Sequence, residues 1–340
     1  MVGVERSGTT ILRTMLDMHS RLAMTPESYF PVEWLRPHLR RVYEQAGADP
    51  RDSGVDRGVD SVDTELLLQE LGKHEWFAKW GLPLDAVESA WRDRPPRTVP
   101  DALCGLYRAY GDAEGKALVG DKTPAFVWEI PLLASAFPTA RFIHVVRDGR
   151  DVALAFKSLD HRPPDTLPAG VIYWRNHVRA GRRFGEAIPG RYTEIRYEDL
   201  LEQPQRELEK LCGFLDLGFE EQMLDHQSKA EATAATYVGP DVHANLRKPL
   251  SKGLRDWRRD ISGSELAVLQ RLGGSTLAAF GYETSPLPSG AAGIKATALA
   301  GAAEARFQAA RYRNTLMRKL RQPAESRALR TSGDQRVHSA

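Results

Sequence analysis

The stretch Met1-Val2-Gly3-Val4-Glu5-Arg6-Ser7-Gly8-Thr9-Thr10-Ile11-Leu12-Arg13-Thr14-Met15-Leu16 decides the fold. Met1–Val4 reads as the end of a buried strand. Strands usually run about 5–6 residues, so either this one starts upstream of Met1 or it is unusually short. Ile11, Leu12, Met15 and Leu16 fall on one helical face. The turn between strand and helix is spaced by Gly3 and Gly8. A strand, a glycine-spaced turn and a helix N-terminus aim free backbone N–H groups and the helix dipole at one point, which makes an anion cradle. The spacing approaches the phosphate-binding GxxxxGK[ST] loop, but Thr9 stands where that loop needs Lys. The cation here is Arg6. The loop therefore wants an anion and is poorly equipped for a magnesium nucleoside triphosphate. An ordinary Ser/Thr-capped helix would also begin Ser-Gly-Thr-Thr; Arg6 and the preceding strand favour the anion site.

Downstream, strand and helix patterns alternate. Ala117–Val119 is a short strand ending at Gly120-Asp121-Lys122-Thr123-Pro124, and Arg141–Val146 is a buried strand whose polar turn, Arg147-Asp148-Gly149-Arg150-Asp151, opens a helix at Val152. Tyr192–Tyr197 reads as a further strand. Helices are expected over Thr64–Trp80, Leu84–Arg92, Gln205–Leu215 and Leu266–Phe280, the last behind a capping box at Ser262–Glu265. Such alternation predicts an α/β fold with a central parallel sheet flanked by helices, resembling the phosphate-loop kinases in topology. Ligands on such sheets bind beyond the carboxyl ends of the strands. The turns after the strands near residues 4, 119 and 146 should converge on one crevice.

The 340 residues allow one large domain or two ordinary ones. With 42% hydrophobic and 27% charged residues, the composition is that of a soluble globular protein. A net charge of +2 gives no global basic field for nucleic acid. Two cysteines, Cys104 and Cys212, make no zinc spacing and too few pairs for a secreted disulfide framework. Neither a signal peptide nor a membrane span is visible, so a cytoplasmic protein is expected. Arg makes up 36 of the 47 basic residues, which is compatible with a GC-rich bacterial genome. Residues 301–340 hold nine basic and three acidic residues. The division expected is a domain over 1–284, then a Pro/Gly/Ser/Ala linker and a basic extension over 285–340. That extension is expected to be helical over 303–321 and disordered over its last ~15 residues.

Three further segments carry candidate cations. They are Arg147 and Arg150 after the strand at 141–146, Lys122 after the strand at 117–119, and Lys252-Gly253 in Ser251-Lys-Gly-Leu-Arg-Asp256-Trp257-Arg258. Each alone could be a solvated turn. Together, in this order, they resemble the sulfotransferases that use 3′-phosphoadenosine 5′-phosphosulfate. The resemblance runs from about Val2 to about Tyr282. It implies that Arg6, Ser7, Gly8, Thr9 and Thr10 bind the 5′-phosphosulfate, that Arg147, Lys252 and Gly253 hold the 3′-phosphate, and that Tyr197 of Tyr197-Glu198-Asp199 lies near the adenine. Two positions depart from the family pattern: Ala155 replaces a Ser, and Ser251 replaces an Arg. Ser158 and Arg150 are candidates to compensate.

The first fifty residues look most like the tyrosylprotein sulfotransferases and their bacterial relatives. That branch implies a Glu base at Glu27, twenty-one positions after Arg6, and a Lys at Lys122 that acts on the leaving group. The chemistry agrees. An acceptor hydroxyl must lose a proton as it attacks sulfur, and a carboxylate can take it; Arg6 and Lys122 can offset charge on the departing oxygen, with no metal required. A helix-capping acid is the plain structural reading of Glu27. His19, His144 and His161 are alternative bases, with His144 better read as core. Residues 30–116 are the expected acceptor side. Tyr29, Phe30, Trp34, Trp76, Trp80 and Trp91 are candidates for its lining, although helical spacing also suits core. The acceptor is a hydroxyl on a carbohydrate, glycolipid, phenolic natural product or peptide tyrosine. In the extension, Phe307, Ala310, Met317 and Leu320 could form a stripe flanked by Arg306, Arg311, Arg313, Arg318, Lys319 and Arg321; the two readings are contact with anionic lipid or an acidic partner, and a solvated helix. The alternatives to sulfuryl transfer are a phosphate-loop small-molecule kinase, against which Thr9 argues, and a non-catalytic nucleotide-binding or scaffold protein on the same fold.

Overall fold

Five strands carry the described part of the fold: β1 (Val2–Gly3), β2 (Leu22–Thr25), β3 (Leu118–Asp121), β4 (Phe142–Val146) and β5 (Tyr192–Arg196). The computed structural model describes residues 1–36, 62–159, 163–229 and 256–321. All strand pairs are parallel, in the orders β1-β4-β5 and β2-β3. The Met1 backbone nitrogen donates to the Asp121 carbonyl (2.6 Å), which lays β1 beside β3. The chain is an α/β protein with a parallel sheet flanked by helices.

β4 is central, between β1 and β5, and all five of its residues are buried, four of them apolar and the fifth His144. Successive side chains alternate across a strand. Ile143 and Val145 meet α1 (Thr9–Asp17) through Ile11, Leu12, Met15 and Leu16. On the other face lies the helix Leu167–Glu186, whose Trp174 and Val178 pack against Val146. Close contact needs glycine there: a Cβ at Gly181 would lie 2.5 Å from the His144 ring, and one at Gly185 2.4 Å from Tyr192. A helical layer between β2 and β3, with helices Leu84–Asp93 and Val99–Ala113, closes over Phe30, Trp80, Trp91, Leu103 and Leu106.

Most expected elements fall within a residue or two of place, and the Ser262–Glu265 capping box forms. Three expectations change. The helix expected over Thr64–Trp80 is two, Thr64–Lys73 and Glu75–Ala78, because His74 turns extended and its ring accepts from the Trp76 N–H. The strand β2 and the long helix Leu167–Glu186 were not expected. The linker is short, since a helix spans Gly290–Arg321. Its packed stripe is Ala296, Ala300, Ala303 and Phe307, set against Leu269 and Leu272. Arg175 donates to both carboxylate oxygens of Glu304 (3.1 and 3.0 Å). Of the four residues considered for an apolar stripe in this extension, Phe307 packs here, Ala310 is exposed and Met317 is 44% exposed, while the Leu320 side chain lies outside the described residues. Among the described residues no helix is long and apolar enough to cross a membrane.

Candidate active site

The carboxyl ends of the strands meet, as parallel topology dictates. β1 runs into the loop Val4–Gly8, where Arg6 (φ 69°) and Gly8 (φ 89°) take left-handed backbone. That conformation turns the chain sharply enough to start α1 at Thr9. Gly8 is required twice over: a Cβ there would lie 2.1 Å from a ring carbon of Tyr197. α1 has no side-chain cap and no acid in its first turn, so its leading N–H groups are open to an anion. The Ser7 hydroxyl is buried in this loop without a hydrogen-bond partner, a polar group that a bound anion would satisfy. Thr9 is buried and Thr10 half-buried at the helix start.

The loop is tied to the next strand ends. Arg147 donates from Nη1 to the Arg6 carbonyl (3.1 Å) and lies 4.8 Å from the centre of the Tyr197 ring. Arg6, Gly8, Arg147 and Tyr197 thus form one wall. Glu198 braces it from behind, accepting from the Asp148 N–H and the Tyr282 hydroxyl (both 2.9 Å).

The second wall is Glu27 with Lys122. Register explains their meeting. β2 pairs with β3 so that Thr25 faces Asp121. Beyond the strands, the Ser28 N–H donates to Thr123 Oγ1 (2.9 Å), Thr123 Oγ1 donates back to the Ser28 carbonyl (3.1 Å), and Ser28 Oγ donates to Asp121 (2.5 Å). Tyr107 adds a bond to the same Asp121 oxygen (3.0 Å). This latch presents Lys122 Nζ to Glu27 Oε1 at 2.5 Å. The Lys122 side chain is fully buried, while Glu27 retains 18% exposure. A buried ammonium needs a carboxylate partner, and Glu27 is one.

Sequence reading passed over one carboxylate of the cradle loop. Glu5 accepts from the Tyr173 hydroxyl (2.9 Å), and burial raises its proton affinity. The Tyr29 ring lies tilted against Trp76 (ring centres 4.9 Å apart) and meets Phe126 edge-on (6.3 Å). Burial and the charges of Glu27 and Glu5 push its hydroxyl pKa well up. Of the aromatic residues considered for the acceptor side, Phe30, Trp34, Trp80 and Trp91 are core, and Tyr29 and Trp76 stay half-buried.

Other candidates stand elsewhere. His144 is buried and bonded to the Tyr192 hydroxyl (2.6 Å); His19 is bonded to the Gly218 carbonyl (2.9 Å). Arg150 is buried, bonded to Asp148 and the Glu283 carbonyl and stacked 3.5 Å from the Trp257 ring centre. Ala155 is buried, and the exposed Ser158 hydroxyl donates back to its carbonyl (2.9 Å). Asp151 accepts from the Trp257 N–H (2.9 Å), and burial raises its pKa to about 6. Ser251, Lys252, Gly253 and His161 lie outside the described residues.

Comparison with known proteins agrees with this geometry. The profile described as "Sulfotransferase family" matches residues 1–221. A putative protein-tyrosine sulfotransferase of Caenorhabditis briggsae is 23% identical over 297 residues, covering 83% of this chain and 88% of that one. Omega-hydroxy-beta-dihydromenaquinone-9 sulfotransferase Stf3 of Mycobacterium bovis is 25% identical over 263 residues. That match covers 64% of this chain and 62% of the relative, less than two thirds of its length. Among solved structures, the sulfotransferase domain of the Synechococcus PCC 7002 olefin synthase superposes with a TM-score of 0.50 at 21% identity, covering 84% of this chain and 95% of that one. An uncapped helix start beside clustered cations, on a parallel sheet whose sequence matches this profile over most of the chain, leads to one assignment: the protein belongs to the sulfotransferase family.

Proposed function

We propose that the protein transfers a sulfuryl group from 3′-phosphoadenosine 5′-phosphosulfate to an acceptor hydroxyl, with residues 1–284 as the transfer domain. The observation that carries this reading is the Glu27–Lys122 pair, latched at the strand ends beside an anion-ready loop. The site suits the donor: an open helix start, a buried unsatisfied Ser7 hydroxyl, and cations at Arg6, Lys122 and Arg147. Bound there, the donor supplies sulfur attached to a phosphate leaving group.

The chain's residues divide the remaining work. Arg6, Ser7, Gly8, Thr9 and Thr10 cradle the 5′ end. Arg147 holds the 3′-phosphate with Lys252 and Gly253, and Tyr197 flanks the adenine. Glu27 takes the acceptor's proton, which a carboxylate can do within hydrogen-bond reach. Lys122 leaves Glu27 for the departing oxygen, where its charge is worth most in a water-poor site. Tyr29, Trp76 and Phe126 offer the acceptor an aromatic wall. The two relatives' names, for a protein tyrosine and an omega-hydroxylated dihydromenaquinone, share a hydroxyl acceptor.

Incubation with sulfur-35-labelled donor and a panel of phenols, tyrosine peptides, glycans and hydroxylated lipids tests the proposal. Label should pass to a hydroxyl acceptor, and chelation of magnesium should leave the rate unchanged. Phosphate transfer from magnesium ATP instead would put a kinase in its place.

A further inference from the structure

All four residues of β2 and all five of β4 are buried, whereas none of the four in β3 is, and Leu118 is 39% exposed. Parallel strands are normally covered throughout. Beside β3 lies a cleft of about 760 Å³. One wall is Leu118–Asp121, the other is Arg141–Ile143, and Met1 and Val2 stand at its head. β1 occupies the same gap further along. It pairs with β4 through Val2 and Gly3 and reaches β3 through the Met1 nitrogen (2.6 Å). Where one strand lies between two others, the outer two are about 10 Å apart.

Both edges of the cleft can bond to a strand. Backbone N–H groups alternate between the two edges of a strand, with the same period of two as the side chains. Leu118 donates to the Arg21 carbonyl on the β2 side, and Phe142 donates to the Arg191 carbonyl on the β5 side. The N–H groups of Asp121 and Ile143, an odd number of positions along, therefore face the cleft. The Asp121 carbonyl, on that same edge, already accepts from Met1. The cleft is apolar above and below the sheet. Leu16, Leu22 and Met24 belong to the core on the α1 side, and Phe126, Leu133 and Phe137 to the core opposite. Its occupant must present apolar side chains in both directions and backbone groups along both edges. A helix, about 10–12 Å across, is too wide, and a strand meets every requirement.

We propose that the cleft is the seat of one more stretch of parallel strand, about three to four apolar residues long, joined in line to Met1 so that it lengthens β1 on its amino side. The two facing edges and their continuity with β1 carry this inference. Val2 lies opposite His144, so the residue joined to Met1 lies opposite Phe142. Its carbonyl takes the Ile143 N–H, and the carbonyl before it takes the Asp121 N–H. Burial lowers the proton affinity of the Met1 amino group, and a peptide bond at that place presents a neutral N–H to Asp121. β1 delivers the chain into the Val4–Gly8 loop, so a longer β1 also braces the cradle.

Hydrogen exchange read by mass spectrometry, with no donor present, tests the proposal on the full chain. The chain is compared with two versions, one preceded by Thr-Val-Val-Ile and one by Gly-Ser-Gly-Ser. The apolar segment should slow exchange in both Leu118–Asp121 and Phe142–Val146 by roughly tenfold and raise the melting temperature. The Gly/Ser segment should do neither. If the four-residue apolar segment impairs folding, Val-Ile alone still reaches the Asp121 and Ile143 N–H groups and should give the same protection. Equal exchange in the apolar and Gly/Ser versions overturns the proposal. So does slowing confined to one of the two strands, because a strand seated in the cleft bonds both edges. A free acetylated Thr-Val-Val-Ile peptide that protects both strands as well as the joined segment would make the occupant a separate chain and overturn the in-line assignment.

Discussion

Glu27→Gln should slow sulfuryl transfer by about 10²–10⁴-fold, the range for loss of a general base, while binding of 3′-phosphoadenosine 5′-phosphate changes by no more than about threefold. Gln keeps the size and a carbonyl oxygen for Lys122 but cannot take a proton. The choice of Gln over Ala matters because the Lys122 side chain is fully buried. Removing the partner of a buried charge costs about 3–5 kcal/mol, so Glu27→Ala would mix lost chemistry with lost stability. Melting temperature and product binding separate the two. A Glu27→Gln enzyme with full turnover would remove Glu27 from the role of base.

Gly8→Ala should weaken binding of the same bisphosphate by roughly a hundredfold. Two costs add. Left-handed backbone costs an L-residue about 1–2 kcal/mol, and the new methyl would lie 2.1 Å from Tyr197. The ring must move, and Arg147 rests over that ring. One methyl therefore disturbs the loop and the Arg147–Tyr197 wall together. Gly115 supplies the control. Its φ is 66° and nothing lies within 4 Å of its Cβ position, so Gly115→Ala pays the backbone cost alone and should leave binding unchanged. Tyr197→Ala combined with Gly8→Ala should recover part of the loss relative to additivity, because the clash is gone. Strict additivity would show that Gly8 matters for backbone alone. Equal loss in Gly115→Ala would show that the effect is general destabilisation.

How far these residues could be read from the chain varies for physical reasons. β4 was legible because five consecutive residues are buried on both faces, which leaves a run that is apolar but for His144. The cradle was legible because a left-handed turn at a helix start needs glycine, and Gly8 marks it. The helix Leu167–Glu186 was not, because Gly170, Gly181 and Gly185 read as breaks. They serve instead to let the helix approach: a Cβ at Gly170 would lie 2.8 Å from Ala153. β2 escaped because four residues, Leu22–Thr25, are too few to show a period. Glu27 and Lys122 were named through a family likeness, and only the β2–β3 register explains why they touch. Asp121, Ser28 and Thr123 hold that register past the strand ends, and nothing in their local sequence marks them as a latch. Glu5 was passed over because its partner Tyr173 belongs to the helix that glycines concealed.

The most direct measurement is a calorimetric titration of the protein with 3′-phosphoadenosine 5′-phosphate, run beside magnesium ATP and repeated with Arg147→Ala. Arg147 bridges the loop and the Tyr197 wall, and a charge-assisted contact to phosphate is worth about 1.5–3 kcal/mol. The bisphosphate should bind in the micromolar range or tighter, magnesium ATP should not compete, and Arg147→Ala should weaken binding by roughly 10–100-fold. Binding of magnesium ATP with none of the bisphosphate would contradict the donor assignment and the mechanism built on it.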